Sequence, residues 1–174
     1  MITKWNFQTP SEEELHKRDR LASQLGLSPV VCLLLVQRGL TTVEEVKKFF
    51  KPSLNDLHDP FLMPDMEKAV KRLNKALGNK EKILIYGDYD VDGTTAVSLV
   101  YKYLRPYSSA LDYYIPDRYD EGYGISYKGI NYAREIGITL VISLDCGIKA
   151  IEKIEYAKQL GIDFIICDHH MPDD

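Results

Sequence analysis

Apolar positions in the first third of the chain recur at the spacing of amphipathic helices. Leu15, Leu21 and Leu25 form one stripe, which predicts a helix that begins after Ser11 and ends before Gly26. Further helices are predicted over residues 30–37, from a cap at Thr42 to about residue 50, and from a cap at Asp65 to about residue 77. Prolines interrupt the pattern before the last of these helices. Residues 54–64 are therefore predicted to form a linker whose apolar side chains pack on a surface.

The pattern changes after residue 80 to short apolar runs that alternate with helical stretches. Strands are predicted over residues 83–86, 111–115, 139–144 and 163–167, with helices over residues 94–104, 126–136 and 148–160. This alternation predicts an α/β fold. We expect a mostly parallel sheet flanked by helices, with a helical extension at the N-terminal side.

Length and composition fit an ordinary globular protein. The chain has 174 residues, of which 28% are charged, and its formal net charge is −4. An acidic balance does not favour a nucleic-acid partner, but it does not exclude one, because a carboxylate-rich metal site lowers the formal count. The start of the chain lacks the pattern of a signal peptide, and no apolar run is long enough to span a membrane. We therefore expect no membrane association.

The cysteines Cys32, Cys146 and Cys167 are odd in number and widely spaced, which argues against a disulfide framework or a zinc cluster. Their sequence neighbours are mainly apolar. We therefore expect three buried free thiols and a cytoplasmic location.

Acidic residues and histidines follow three of the four predicted strands. The clusters are Asp88, Asp90 and Asp92 after the first strand, Asp145 after the third, and Asp168, His169 and His170 after the fourth. The carboxyl ends of parallel strands meet at one edge of a sheet, where open α/β sheets bind their ligands. The sequence therefore predicts that the three clusters form one site.

Each cluster also has a purely structural interpretation. Residues 88–93 read Asp-Tyr-Asp-Val-Asp-Gly, like the start of an EF-hand calcium loop, but the twelfth position holds Leu99 instead of glutamate. Asp92 or Asp145 would serve equally as the cap of the helix that follows it. One histidine of the pair would be an ordinary packed side chain, with Asp168 orienting its ring.

Charge repulsion favours a metal site over these interpretations. Several carboxylates at one edge cannot all ionise near neutral pH without a counter-charge, and the three clusters contain no lysine or arginine. Mixed carboxylate and imidazole ligands suit Mn²⁺, or Mg²⁺ with weaker imidazole binding. Two such ions side by side would activate a water molecule and stabilise a phosphoryl group. A two-metal phosphoesterase site is therefore predicted.

These motifs resemble the DHH phosphoesterase superfamily. The resemblance rests on residues 88–93, on Ser-Leu-Asp-Cys-Gly-Ile over residues 143–148, and on Asp-His-His over residues 168–170. A fourth motif, Pro-Asp-Arg-Tyr-Asp-Glu-Gly-Tyr-Gly over residues 116–124, is similar to the branch of single-stranded-DNA-specific exonucleases. The motifs occur in the order typical of the family, and the resemblance covers nearly the whole chain.

The resemblance implies a role for each motif residue. The metal ligands would be Asp90, Asp92, Asp145 and His169, with Asp145 bridging two ions and Asp88 replacing a histidine found in other branches. His170 would contact the scissile phosphate, and Asp168 would hold the histidines in place. These last two would form the catalytic pair.

The loop over residues 116–124 supplies candidates for substrate binding. Arg118 would bind a phosphate through its planar guanidinium, and Tyr123 would stack on a base. The alternative for Arg118 is a surface ion pair with Asp117, Asp120 or Glu121.

The resemblance also implies a division of the chain. Residues 1–64 would form the helical N-terminal extension and linker, and residues 65–174 the N-terminal part of a DHH domain. Members of the superfamily place a further metal-binding aspartate and a second domain after the histidine pair. We therefore expect the chain to be C-terminally truncated, with little or no activity of its own.

The implied function of the parent protein is a metal-dependent 5′→3′ exonuclease that degrades single-stranded DNA in DNA repair and recombination. Single-stranded DNA would be its main partner, with a single-strand-binding protein or a helicase as accessory partners. Two alternatives stay open at this stage. One is a DHH phosphodiesterase that acts on short oligonucleotides or cyclic dinucleotides, and the other is a non-catalytic scaffold that binds DNA.

Overall fold

A computed structural model describes residues 9–173, which divide into two compact units, one ending at Asp59 and the other beginning at Pro60. The first unit holds helices α1 (Glu12–Leu25), α2 (Pro29–Gln37) and α3 (Val43–Phe50). The second holds α4 (Met66–Gly78), β1 (Ile83–Gly87), α5 (Val91–Leu104), β2 (Leu111–Tyr114), α6 (Tyr127–Glu135), β3 (Leu140–Leu144), α7 (Ile151–Gln159) and β4 (Asp163–Cys167). No helix of the described residues is long and apolar enough to cross a bilayer.

The helices of the first unit begin and end where their capping residues predict. The Ser11 hydroxyl accepts the N–H of Glu14 at 3.2 Å, and the Glu14 carboxylate accepts the N–H of Ser11 at 2.7 Å. Thr42 and Glu45 form the same reciprocal capping box at the start of α3. Gly26 ends α1 in the left-handed conformation, with φ of 65°. The predicted extents of these helices are confirmed to within about a residue.

The four strands form one parallel sheet in the order β2-β1-β3-β4. The central strands β1 and β3 are buried along their whole length. Helices α6 and α7 pack on one face of the sheet, and α4 and α5 pack on the other. Cover on both faces explains why these strands are unbroken apolar runs in the sequence. The predicted α/β fold with a parallel sheet and N-terminal helices is confirmed.

Two helix starts differ in position from the prediction, and a third keeps its position but not its expected cap. Helix α7 begins at Ile151 instead of residue 148. Helix α5 begins at Val91 instead of residue 94, because Asp90 is its N-cap and Asp92 lies in its first turn. Asp65 precedes α4 as expected, but its backbone is left-handed, with φ of 58°, and its side chain makes no capping hydrogen bond. Short runs of alternate aspartates offer several possible caps, and tertiary packing selects among them.

Two expectations about burial were wrong. Cys32 and Cys146 are buried, but Cys167 is exposed, because it ends β4 at the edge of the sheet. Leu57 and Leu62, which were expected to pack, are 72% and 75% exposed. They lie in and beside two short 3₁₀ turns, Leu54–Asp56 and Pro60–Leu62.

Arg72 ties α4 to the amino-terminal edge of the sheet. Its Nε donates to Asp163 of β4 at 2.6 Å, and its Nη2 donates to Glu81, which precedes β1, at 2.8 Å. Glu81 also accepts the hydroxyl of Thr139, just before β3, at 2.8 Å. The carboxylates at this edge are therefore neutralised by a side chain of the protein itself.

Gly129 lets α6 approach the sheet closely. A methyl group at Gly129 would lie 2.6 Å from Cε2 of Tyr86 and 3.0 Å from Cε1 of Tyr114. We expect Gly129→Ala to lower the free energy of unfolding by about 1–3 kcal/mol, because the buried Tyr86 ring would have to shift. Urea denaturation measures the change. Gly78→Ala is the matched control, because nothing lies within 4 Å of its Cβ position. Equal stability of the two variants would contradict the close approach.

Candidate metal centre

The strand order brings the three predicted clusters to one edge of the sheet. β2 lies on one side of β1, whereas β3 and β4 lie on the other, so the strand order switches sides at β1. A crevice opens at the carboxyl ends of the strands at such a switch point. Asp88 and Asp90 follow β1, Asp145 follows β3, and Asp168 follows β4. The predicted convergence is therefore present in the fold.

Asp145 lies between the ends of β1 and β4. Its backbone is left-handed, with φ of 60°, which is uncommon for a residue other than glycine. Its N–H donates to the carbonyl of Cys167 at 2.8 Å. Its side chain is 9% exposed, and Oδ1 lies 3.1 Å from Nε2 of His169. The ligand atoms of Asp145, His169 and His170 all lie within 4.8 Å of one another, close enough to share a bound cation.

Asp90 and Asp92 lie at the start of α5, where both are exposed. Asp90 Oδ1 accepts the N–H of Gly93 at 2.9 Å and so caps the helix. Neither residue belongs to the group of three described above, and their role as ligands stays a prediction. Their charges nevertheless reach Asp145, because burial and the carboxylates of Asp90 and Asp92 raise the pKa of Asp145. A divalent cation would relieve this repulsion.

Asp168 fixes the orientation of His170. Its side chain is 2% exposed. Oδ2 accepts the N–H of Ile148 at 3.0 Å, whereas Oδ1 accepts the N–H of His170 at 3.1 Å and lies 2.6 Å from its Nδ1. Burial raises the pKa of Asp168, but these hydrogen bonds outweigh it and hold the pKa below its usual range. The hydrogen bond to Asp168 in turn raises the pKa of His170.

Asp88 is completely buried, unlike the two aspartates that follow it. Its Oδ1 accepts the N–H of Gly124 at 3.2 Å, and its Oδ2 has no hydrogen-bond partner among the described residues. Gly93 packs against it so closely that a methyl group there would lie 2.5 Å from the Asp88 carbonyl oxygen. Asp88 thus joins the end of β1 to the loop that carries Tyr123, and its predicted role as a ligand stays a prediction.

Of the two predicted substrate-binding residues, Tyr123 contacts the site directly, whereas Arg118 lies on Tyr89, which in turn meets Tyr123. The Tyr123 hydroxyl lies 3.1 Å from the carbonyl oxygen of Asp145 and 3.3 Å from Nε2 of His170. The Arg118 guanidinium carbon lies 5.2 Å from the centre of the Tyr89 ring, and the Tyr89 ring meets Tyr123 edge to face. None of the ion pairs found in residues 9–173 involves Arg118, so the predicted alternative of a surface pair is not formed there.

The donor set fits a divalent cation. Within residues 9–173, two of the five motif aspartates form ion pairs, Asp145 with His169 and Asp168 with His170. No lysine or arginine of these residues pairs with any of the five. The group that converges combines one carboxylate with two imidazoles, with two more carboxylates beside it. Oxygen and imidazole nitrogen ligands together are compatible with Mn²⁺ and with other divalent ions of the first transition row.

Sequence reasoning missed two residues that shape this site. Tyr89 stands inside the aspartate motif, yet its contact with Arg118 joins segments about thirty residues apart, which no local spacing reveals. Glu121 was named only as one of three possible surface partners in the alternative for Arg118, but its side chain is only 4% exposed. Its one available signal was its position among turn-forming glycines, where a buried polar group often fastens a loop.

The fold and the edge residues define a parallel α/β domain with a candidate carboxylate–imidazole metal centre. Residues 82–174 match the family described as DHH family, N-terminal domain. The chain therefore belongs to the DHH family.

Relatives within this family are exonucleases. The chain is 41% identical over 169 residues to the single-stranded-DNA-specific exonuclease RecJ of Bacillus subtilis, covering 97% of this chain and 21% of that relative. It is 33% identical over 150 residues to RecJ of Escherichia coli, covering 85% of this chain and 25% of the relative. The chain thus spans about a quarter or less of the length of these relatives.

Solved structures of RecJ share the fold. A crystal structure of exonuclease RecJ bound to manganese superposes with a TM-score of 0.59 at 30% identity, covering 65% of this chain and 30% of that one. RecJ from Thermus thermophilus in complex with Mn²⁺ superposes with a TM-score of 0.66 at 23% identity, covering 91% of this chain and 22% of that one. The second likeness concerns the fold alone.

Asp145→Asn should separate the charge of Asp145 from its structural role, because asparagine tolerates the left-handed backbone. We expect Mn²⁺ affinity to fall at least about tenfold, while the melting temperature in EDTA stays level or rises as repulsion is relieved. Isothermal titration with Mn²⁺ and thermal denaturation measure the two effects. Glu152→Gln, on the exposed side of α7, is the control for loss of one negative charge. Unchanged Mn²⁺ affinity in Asp145→Asn would contradict the metal assignment.

Proposed function

We propose that this chain carries most of the metal centre of a Mn²⁺-dependent exonuclease that removes nucleotides from single-stranded DNA in the 5′→3′ direction. The observation that carries the proposal is the convergence of Asp145, His169 and His170 at the switch point of the sheet, with Asp168 buried beside them. The RecJ relatives support the substrate class, and the two RecJ structures contain bound manganese.

Each residue of the site has a distinct task in this proposal. Asp90, Asp92, Asp145 and His169 would hold the cations, with Asp145 shared between two of them. Divalent cations bound there supply positive charge to the phosphoryl oxygens and lower the pKa of a bound water.

His170 is poised to contact the phosphate. Asp168 fixes its Nδ1 at 2.6 Å and raises its pKa, which favours a protonated ring that donates from Nε2. A cationic donor at this position stabilises the negative charge that develops on the phosphoryl group. Asp168 therefore supports the chemistry through His170 and makes no substrate contact of its own.

The surroundings of the centre favour a single strand over a duplex. Tyr89, Tyr123 and Arg118 offer exposed or half-exposed rings and a guanidinium beside the carboxylates. Aromatic faces and cations together are the usual means of holding unpaired nucleotides. A rigid duplex could not bring one terminal phosphate to Asp145, whose side chain is only 9% exposed.

Nuclease assays with Mn²⁺ test the proposal in a chimera in which these residues replace the matching segment of Bacillus subtilis RecJ. We expect digestion of single-stranded DNA from the 5′ end and little action on blunt duplex. His170→Ala should lower the rate by about 10²–10³-fold, as loss of one preorganised donor does. His58→Ala is the matched control, because His58 lies outside the second unit. Release from the 3′ end, or equal rates on duplex, would contradict the proposal.

The isolated chain should differ from the chimera. We expect residues 1–174 to bind Mn²⁺ weakly and to show little or no nuclease activity, because they span about a quarter or less of the length of the RecJ relatives. Comparing a long oligonucleotide with a dinucleotide in the chimera also separates an exonuclease from a phosphodiesterase of short substrates. Robust turnover by the chain alone would contradict the expected lack of nuclease activity.

A further inference from the structure

Residues 116–126, here called the arginine loop, carry two side chains to the metal centre. Arg118 lies on the Tyr89 ring with its guanidinium carbon 5.2 Å from the ring centre. Tyr123 reaches the Asp145 carbonyl oxygen at 3.1 Å. The loop therefore needs a fixed shape, although glycines with positive φ, Gly122 at 77° and Gly124 at 78°, make its backbone intrinsically adaptable.

A buried carboxylate supplies that shape. The Glu121 side chain is 4% exposed. Its oxygens accept the Tyr114 hydroxyl at 2.9 and 2.8 Å, the N–H of Asp117 at 2.9 Å, and the hydroxyl of Ser126. Glu121 thus joins the start of the loop, the end of the loop and strand β2. Burial raises the pKa of Glu121, but these donors outweigh it and lower the pKa.

Three neighbouring hydrogen bonds extend the same arrangement. The Tyr86 hydroxyl donates to the Gly124 carbonyl at 3.0 Å and accepts the N–H of Ser126 at 3.0 Å. Asp88 accepts the N–H of Gly124 at 3.2 Å. The segment on either side of Tyr123 is therefore fastened to the end of β1, directly beside the aspartate motif.

The inward turn of Glu121 also leaves Arg118 unneutralised. Glu121 is three residues from Arg118, and an exposed carboxylate there would compete for the guanidinium. Asp117 is likewise occupied, because its Oδ1 accepts the N–H groups of Tyr119 at 2.8 Å and Asp120 at 3.0 Å. The guanidinium lies on Tyr89 instead, where it keeps its positive charge for an anionic ligand.

We propose that Glu121 is a positioning residue, which holds the arginine loop so that Arg118 meets a backbone phosphate of single-stranded DNA beside the metal centre. This inference rests on the proposed function for the identity of the ligand. Glu121 itself touches no substrate and acts through Arg118.

Glu121→Gln gives a test with a distinctive sign. The variant removes one negative charge, which on charge alone should strengthen binding to DNA. We expect the opposite: about tenfold weaker binding of a labelled oligo-dT strand to residues 1–174 in Mn²⁺, measured by fluorescence anisotropy. The slope of log affinity against log salt should fall by about 0.7, the value for one lost phosphate contact on a single strand. Arg118→Ala should produce the same two changes.

A double-mutant cycle distinguishes positioning from an independent structural effect. If Glu121 acts through Arg118, the variant with both substitutions binds no more weakly than Arg118→Ala alone. Glu152→Gln, on the exposed side of α7, is the matched control, because it also removes one negative charge but lies outside the arginine loop and its hydrogen bonds. Additive losses, or binding by Glu121→Gln that equals or exceeds that of the wild type, would overturn the positioning role.

Hydrogen exchange separates this inference from the proposed function. Glu121→Gln should speed exchange of the Gly124 and Ser126 amides at least about tenfold, while amides of the central strands keep their protection. If the wild-type chain binds no DNA, the proposed function loses its support in this chain, and exchange alone decides the positioning role. Unchanged exchange in the loop would then refute it.

Discussion

The structure depends on a concentration of negative charge at the carboxyl edge of its sheet that the protein does not neutralise. At the amino edge, Arg72 pairs with Glu81 and Asp163 at 2.8 and 2.6 Å. At the carboxyl edge, the ion pairs within the described residues bring only imidazoles to Asp145 and Asp168. Both edges belong to one sheet, so this difference in charge neutralisation indicates different roles for the two edges. The first closes the fold, and the second is left without a cationic side chain, as the proposed metal centre requires.

The packing that holds the central strands in place is separate from the residues at this edge. β1 and β3 are buried along their length and packed by helices on both faces, so their position does not require the residues that follow them. Their carboxyl ends can therefore carry costly features. Asp145 combines a left-handed backbone with a pKa raised by burial and by like charges, and Asp88 buries an unpartnered oxygen. Cost of this kind at functional positions is expected when the scaffold is secure.

The second unit could be predicted from the sequence because strands covered on both faces are unbroken apolar runs, and parallel strands end at one edge. Helix starts were less certain, because Asp90 and Asp92 are both good caps and only packing selects Asp90. The contact of Arg118 with Tyr89 could not be predicted from the sequence, because it joins two segments that are distant along the chain. The burial of Glu121 contradicts the ordinary tendency of glutamate to lie at the surface, and only the tertiary donors explain it.

Asp168 and Glu121 show the same physical solution at two places in the site. Each carboxylate is almost fully buried, at 2% and 4% exposure, and each is stabilised by N–H or O–H donors of nearby segments. Each thereby fixes an exposed neighbour, His170 in one case and the loop of Arg118 in the other. The buried charge is satisfied by local hydrogen bonds, whereas the exposed imidazole or guanidinium stays available. A site of this construction can be rigid and yet keep exposed hydrogen-bond donors for a ligand.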